Sequence, residues 1–178
     1  FLNPKDAFFA SEKGLEDMKI KCRKKGISIT DRDIAAIVTS RNEDVLKKNI
    51  QNLIEKGINY ITILDDIYPA KLRHIYDPPV ILYLKGKTLP ESKKAIAIIG
   101  ARNCSSYGKE IAKYMAGAIA KEGIIIISGL ARGVDSYAHM GALLAGGITY
   151  AILGCGIDIC YPAENIKLYM DIHKQGGL

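Results

Sequence analysis

Two stretches of this chain set arginine, glycine and hydroxyl side chains in the order that suits phosphate binding. The first, I-I-G-A-R-N-C-S-S-Y-G, follows an apolar run and places Gly100 at a turn, then Arg102, then Ser105 and Ser106, with Tyr107, Gly108 and Lys109 opening an amphipathic stretch. Free N–H groups at a helix start, the positive end of its dipole and two hydroxyls together make an anion site, to which an arginine adds a two-pronged donor. Taken alone, the loop has a plainer explanation, with Ser106 as a helix cap and Arg102 as a surface charge. The second stretch, S-G-L-A-R-G-V-D-S-Y-A-H, repeats the layout with Ser128, Gly129, Arg132 and Gly133 before a helix that begins near Asp135. Asp135 suits a first-turn or capping role and His139 a packed one, rather than catalysis. A third stretch, G-C-G-I-D-I-C-Y-P-A-E-N, begins with glycines and carries Tyr161, able either to stack on a base or to pack, before Pro162 at a plausible helix start.

The elements that must position these loops follow from hydrophobic period. Near-continuous apolar runs at 95–99, 124–128 and 148–153 alternate with amphipathic stretches closed by glycine. That pattern predicts parallel strands buried on both faces, an α/β doubly wound sheet whose ligand crevice lies beyond the strand C-terminal ends. The informative residues are therefore those after Ile99, Ser128 and Leu153, and all three are glycine: Gly100, Gly129 and Gly154. Runs at 60–64 and 80–84 predict two further strands around a packed linker rich in proline. Residues 1–57 read differently, as a small all-helical domain with helices over 12–24, 31–39 and 44–55, and residues 58–178 form the second domain. Within the first, Lys19, Lys21, Arg23, Lys24 and Lys25 suit either a phosphate-contacting face or a solvated helix end.

Composition limits the alternatives. The chain has 178 residues, 48% hydrophobic and 25% charged, enough for one medium and one small globular domain. Its net charge of +6 is spread, with 12 basic and 9 acidic residues in 1–57 and 13 and 10 in 58–178, so a nucleic-acid role has to rest on where charge sits. No stretch reaches membrane-span length and the N-terminal segment is not a signal peptide, which predicts a cytoplasmic protein without membrane contact. Cys22, Cys104, Cys155 and Cys160 show no C-x-x-C spacing and are expected to be reduced, structural thiols; His74, His139 and His173 are scattered, and no metal is expected. The loops lack G-x-G-x-x-G and an acidic residue ending the second strand, so dinucleotide binding is disfavoured, no cofactor is expected, and no catalytic residue is assigned.

Four ordered motifs, YPAKLRHIYDPPVILYLKG, AIIGARNCSSYG, IIISGLARGVDSYAHMGAL and LGCGIDICYPAENIKLY, resemble the DprA/Smf family of bacterial DNA-processing proteins over about residues 58–178. The resemblance implies a Rossmann-like domain behind a small SAM-like helical one. It implies single-stranded DNA binding in natural transformation, protection of the incoming strand, and loading of the RecA recombinase, with a homodimer in the full-length protein. The family's GxRxxSxYG loop falls on Gly100, Arg102, Ser105, Tyr107 and Gly108, and its SGxARGxD loop on Ser128, Gly129, Ala131, Arg132, Gly133 and Asp135. A further FPxRNRxIxG-like stretch of the family does not occur in these 178 residues, so the second domain is expected to be incomplete. The competing function is enzymatic, a nucleotide or nucleoside-phosphate hydrolase of the Rossmann-like phosphoribohydrolase type, whose PGGxGTxxE signature is absent. The primary phosphate-binding candidates are thus Gly100 to Gly108 and Ser128 to Gly133 as named, with Lys109, Tyr161, Lys21, Arg23 and Lys24 secondary.

Overall fold

The computed structural model describes residues 4–178; the first three residues of the N-terminal segment lie outside that range. The chain forms two compact units that divide between Asn52 and Leu53, while the sequence pattern changes at Gly57.

The first unit is helical: α1 (Pro4–Phe9), α2 (Glu12–Lys24), α3 (Asp31–Thr39) and most of α4 (Glu43–Glu55). Local chemistry starts α2 and α3. Ser11 Oγ accepts from the Gly14 amide at 3.1 Å ahead of α2. Before α3, Thr30 and Asp33 form a reciprocal capping box, which also holds the Asp33 carboxyl below its usual range through the Thr30 backbone amide and hydroxyl. Leu15 and Ile34 are buried apolar side chains among its described residues, and Lys19 ties α2 to the start of α3 by pairing with Glu16 and Asp31. Lys21, Arg23 and Lys24 occupy the last turn of α2, where they face the negative end of the helix dipole.

The second unit opens with β1 (Asn59–Thr62) and β2 (Ile81–Leu84), an antiparallel pair with Tyr60 opposite Tyr83. The linker between them, which includes the short α5 (Ala70–Arg73), is packed: buried Tyr68 donates its hydroxyl to the Pro79 carbonyl at 2.7 Å, and the Arg73 guanidinium lies 5.4 Å from the Tyr68 ring while donating to the carbonyls of Ile63 and Asp65. Then β3 (Ala95–Ala97), α6 (Ser106–Lys121), β4 (Ile125–Ser128), α7 (Val134–Leu144) and β5 (Thr149–Ala151) build a parallel sheet of order β3-β4-β5, with Ala95 beside Ile125 and Ile126 beside Thr149. These are the three parallel strands the apolar runs predict. The strands are added in chain order on one side of β3, one half of a doubly wound arrangement.

Ala116, Ala120, Ala138 and Ala142 let α6 and α7 approach closely over Ile126, and a second cluster of Leu130, Ala151, Leu168, Tyr169, Ile172 and Leu178 secures α8 (Ile166–Gln175). After α8 the chain returns to the sheet. The Ala151 amide donates to Gly177 O at 3.0 Å, while Lys85 and Leu178 exchange two backbone hydrogen bonds of 3.1 and 2.8 Å. Residues 176–178 therefore lie between β5 and the segment leaving β2, and join the two sheets. Among the described residues no helix is long and apolar enough to cross a membrane.

Candidate nucleic-acid interface

The loops after β3 and β4 meet because the second is pressed onto the first. Gly133 sits at φ +76°, a conformation that favours glycine, and a Cβ there would run into the backbone carbonyls of Ala101 and Arg102, the latter at 2.6 Å. The Val134 amide donates to Ala101 O at 3.3 Å, and Asp135 accepts from the amides of Gly100 at 3.4 Å and Gly129 at 3.1 Å. One buried carboxylate thus clasps the ends of two adjacent strands. Asp135 has the structural role that its place in the first turn of a helix suggests.

A third segment braces the second loop. Asn165, at the end of the short 3-10 turn Ala163–Asn165, is buried and donates through Nδ2 to Leu130 O at 2.9 Å and to Ser136 Oγ at 2.8 Å; Ser136 Oγ donates to Ala131 O at 2.5 Å. Leu130 is held at φ +56°, which an apolar residue adopts only when its surroundings fix it. Arg132 projects from this braced turn, and its Nε and NH2 donate to the two carboxylate oxygens of Glu164 at 2.8 and 3.0 Å. The pairing raises the Arg132 pKa and holds the Glu164 carboxyl below its usual range. Tyr161 lies close enough to Arg132 to favour its charge further.

The result is a cleft of about 310 Å³ lined by Arg102, Lys109, Arg132, Gly133, Tyr137 and Glu164, among others. Arg102 and Arg132, on neighbouring loops, line the same space. The Lys109 ammonium sits 5.7 Å from the Tyr137 ring centroid, which orients a third cation here. Three cations against one carboxylate leave the cleft positive. Ser105 caps α6, its Oγ accepting from the Gly108 amide at 3.1 Å, so the first-turn amides of Ser106 and Tyr107 lack an intrahelical acceptor. Tyr107 is 75% exposed and Tyr161 59%, so both rings are open for stacking and neither is a core aromatic.

Several sequence-level assignments change in the structure. The Gly100 and Gly129 amides are engaged by Asp135, and the buried Ser128 hydroxyl donates to Ile98 O at 2.7 Å, so these three groups hold the strand ends and are not free to cradle phosphate. The cap of α6 is Ser105, and Ser106 is the first helical residue. Lys21, Arg23 and Lys24 belong to the first unit, in the last turn of α2. His139 is buried, with Nδ1 2.7 Å from Thr149 Oγ1, whose own hydroxyl donates to Ile126 O at 2.8 Å; the imidazole is a core residue. Glu164 and Asn165 are the cleft and bracing residues that the sequence did not single out. Their one signal was position, directly after a Pro162 expected to start a helix.

A family model described as DNA recombination-mediator protein A matches residues 59–178. The chain is 44% identical over 144 residues to the DNA processing protein DprA of Streptococcus pneumoniae and 40% identical over 115 residues to that of Bacillus subtilis, covering 76% and 64% of this chain. It spans only 50% and 39% of the length of those relatives. The solved S. pneumoniae DprA structure superposes with a TM-score of 0.63 at 31% identity, over 97% of this chain and 63% of that one. Helicobacter pylori DNA processing protein A, whose structure is described in terms of its single-stranded DNA binding mode, gives 0.59 at 35% identity, over 67% and 54%.

Proposed function

Since this chain belongs to the DNA recombination-mediator protein A family, we propose that the cleft between its β3 and β4 loops binds the phosphate backbone of single-stranded DNA. The observation that carries this is the convergence of Arg102, Lys109 and Arg132 on one positive cleft at the C-terminal ends of adjacent parallel strands. Guanidinium groups contact phosphates without reading bases, and the exposed Tyr107, in the first turn of α6, and Tyr161 offer rings on which any base can stack. The chain then acts as a binder rather than an enzyme, in the cytoplasm, during natural transformation. There it protects incoming DNA and loads the RecA recombinase, as the full-length relatives' family role suggests. A homodimer of the full-length protein belongs to the same reading.

The test is a titration of labelled oligo-dT at several salt concentrations, with Arg102→Ala/Arg132→Ala beside the parent and nucleoside monophosphates as competing ligands. The parent should bind oligo-dT with a steep salt dependence, and the double variant, folded by circular dichroism, should lose most of that affinity. Each phosphate contact removed should flatten the log K against log salt slope by about 0.7. Equal binding by parent and double variant would move the DNA path elsewhere, and turnover of mononucleotides would favour the hydrolase.

A further inference from the structure

Arg132 already holds an anion. Its guanidinium meets the Glu164 carboxylate through two nearly parallel hydrogen bonds of 2.8 and 3.0 Å, the fork-on-fork geometry that it would offer to a phosphate. The two residues come from different loops, and the backbone of each is fixed. Asn165, next to Glu164, donates to Leu130 O and Ser136 Oγ in the turn that carries Arg132. Glu164 is therefore delivered to Arg132 on a rigid mount, yet both side chains remain more than half exposed in the same cleft. No ion pair engages Arg102, on the facing loop, among the described residues.

Resting on the assignment of the cleft to DNA phosphate, we propose that Glu164 is the resident ligand of Arg132, an internal competitor that a phosphate must displace, and that it sets how tightly the cleft holds a strand. The carboxylate occupies the donors of one of the three cations, so the cleft presents a lower effective charge to the polyanion than its basic residues would give unopposed. Displacement exchanges one charge-assisted pair for another of the same geometry. Exposed pairs of this kind are weak, so the exchange is modest in energy and reversible, and a strand can be released as well as captured.

The experiment uses the full chain, fluorescein-labelled oligo-dT and a salt series, with the parent, E164Q, E164D and R102A/R132A compared. Gln keeps the shape and one acceptor while removing the charge. E164Q should bind about two- to fivefold more tightly than the parent, the range expected when an exposed ion pair no longer has to be broken. Its salt slope should match the parent's, since Arg132 neutralises one phosphate in both once the carboxylate has been displaced. E164D keeps the charge and should bind as the parent does. A residue that only braced Arg132 would act in the opposite direction, its Gln variant binding more weakly. If the parent binds and R102A/R132A fails to, but E164Q binds no more tightly than the parent, the competitor role is refuted and the DNA assignment stands. If R102A/R132A binds as well as the parent, or neither the parent nor E164Q binds, both fall.

Discussion

Asn165→Ala probes whether the arginine-bearing turn is held by one buried amide. Asn165 is 9% exposed, and its Nδ2 serves two acceptors, Leu130 O at 2.9 Å and Ser136 Oγ at 2.8 Å. Truncation removes both bonds, at about 1 kcal/mol each, and leaves the Leu130 carbonyl buried without a donor, which costs about 1–2 kcal/mol more. Leu130 at φ +56° loses the contact that fixes it. The sum, about 3–4 kcal/mol, is a large part of the stability of an ordinary domain. With a urea m-value of about 2 kcal/mol/M, the midpoint should fall by about 1.5–2 M, read by far-UV circular dichroism. Asn165→Asp keeps the volume but turns an oxygen toward the Leu130 carbonyl, and should be at least as damaging. Both variants should also lose oligo-dT affinity under conditions where they remain folded, because the turn that aims Arg132 is freed. A midpoint within about 0.3 M of the parent for both would refute the idea that this amide organises the loop.

Two further substitutions follow from the geometry. Gly133→Ala forces a side chain into the carbonyls of Ala101 and Arg102 at a positive φ, so it should destabilise by about 2–4 kcal/mol and part the two loops, detected as a lowered melting temperature and lost oligo-dT binding. His139 is neutral in the fold, burial lowering its pKa from 6.5 to about 3, so the unfolded chain takes up the proton first as pH falls. Its contribution is full above the unfolded value and is lost at about 1.4 kcal/mol per pH unit between about 6.5 and 3. His139→Gln should flatten that part of a stability-against-pH curve measured by denaturant titration; an unchanged acid limb would show that other groups govern it.

Much of this architecture was legible because local signals and tertiary placement agree. The apolar runs around Ile96, Ile126 and Tyr150 mark the parallel strands, and the Thr30 cap and the period of Val45, Leu46 and Ile50 mark α3 and α4. Glycine at 100, 129 and 154 after three successive strands located the crevice end of the sheet, and Arg102 and Arg132 do share a cleft there. What was not legible depends on long-range pairing. That the amides of Gly100 and Gly129 would be claimed by Asp135, and Arg132 by Glu164, follows only from how the loops fold over one another. The apolar stripe of α4 shows the reverse limit: its periodicity gives the helix, yet Val45, Leu46, Ile50 and Ile54 stay exposed, so period alone does not guarantee a buried partner.

The placement of residues 176–178 between β5 and the strand leaving β2 has a consequence for biosynthesis. Residues 59–87 emerge from the ribosome about ninety residues before the segment that completes their sheet, so an unpaired edge waits through the synthesis of three α-helices, a 3-10 turn and three strands. Open strand edges invite pairing with other chains, and lysine is one means of discouraging it. Lys85 and Lys87 lie on the waiting edge, and Lys85 and Lys87 amides find their acceptors, Leu178 O and Gly176 O, only at the end of this sequence. The sheet junction thus forms only once residues 176–178 have been made, and a nascent chain halted before Gly176 would present that edge to its neighbours.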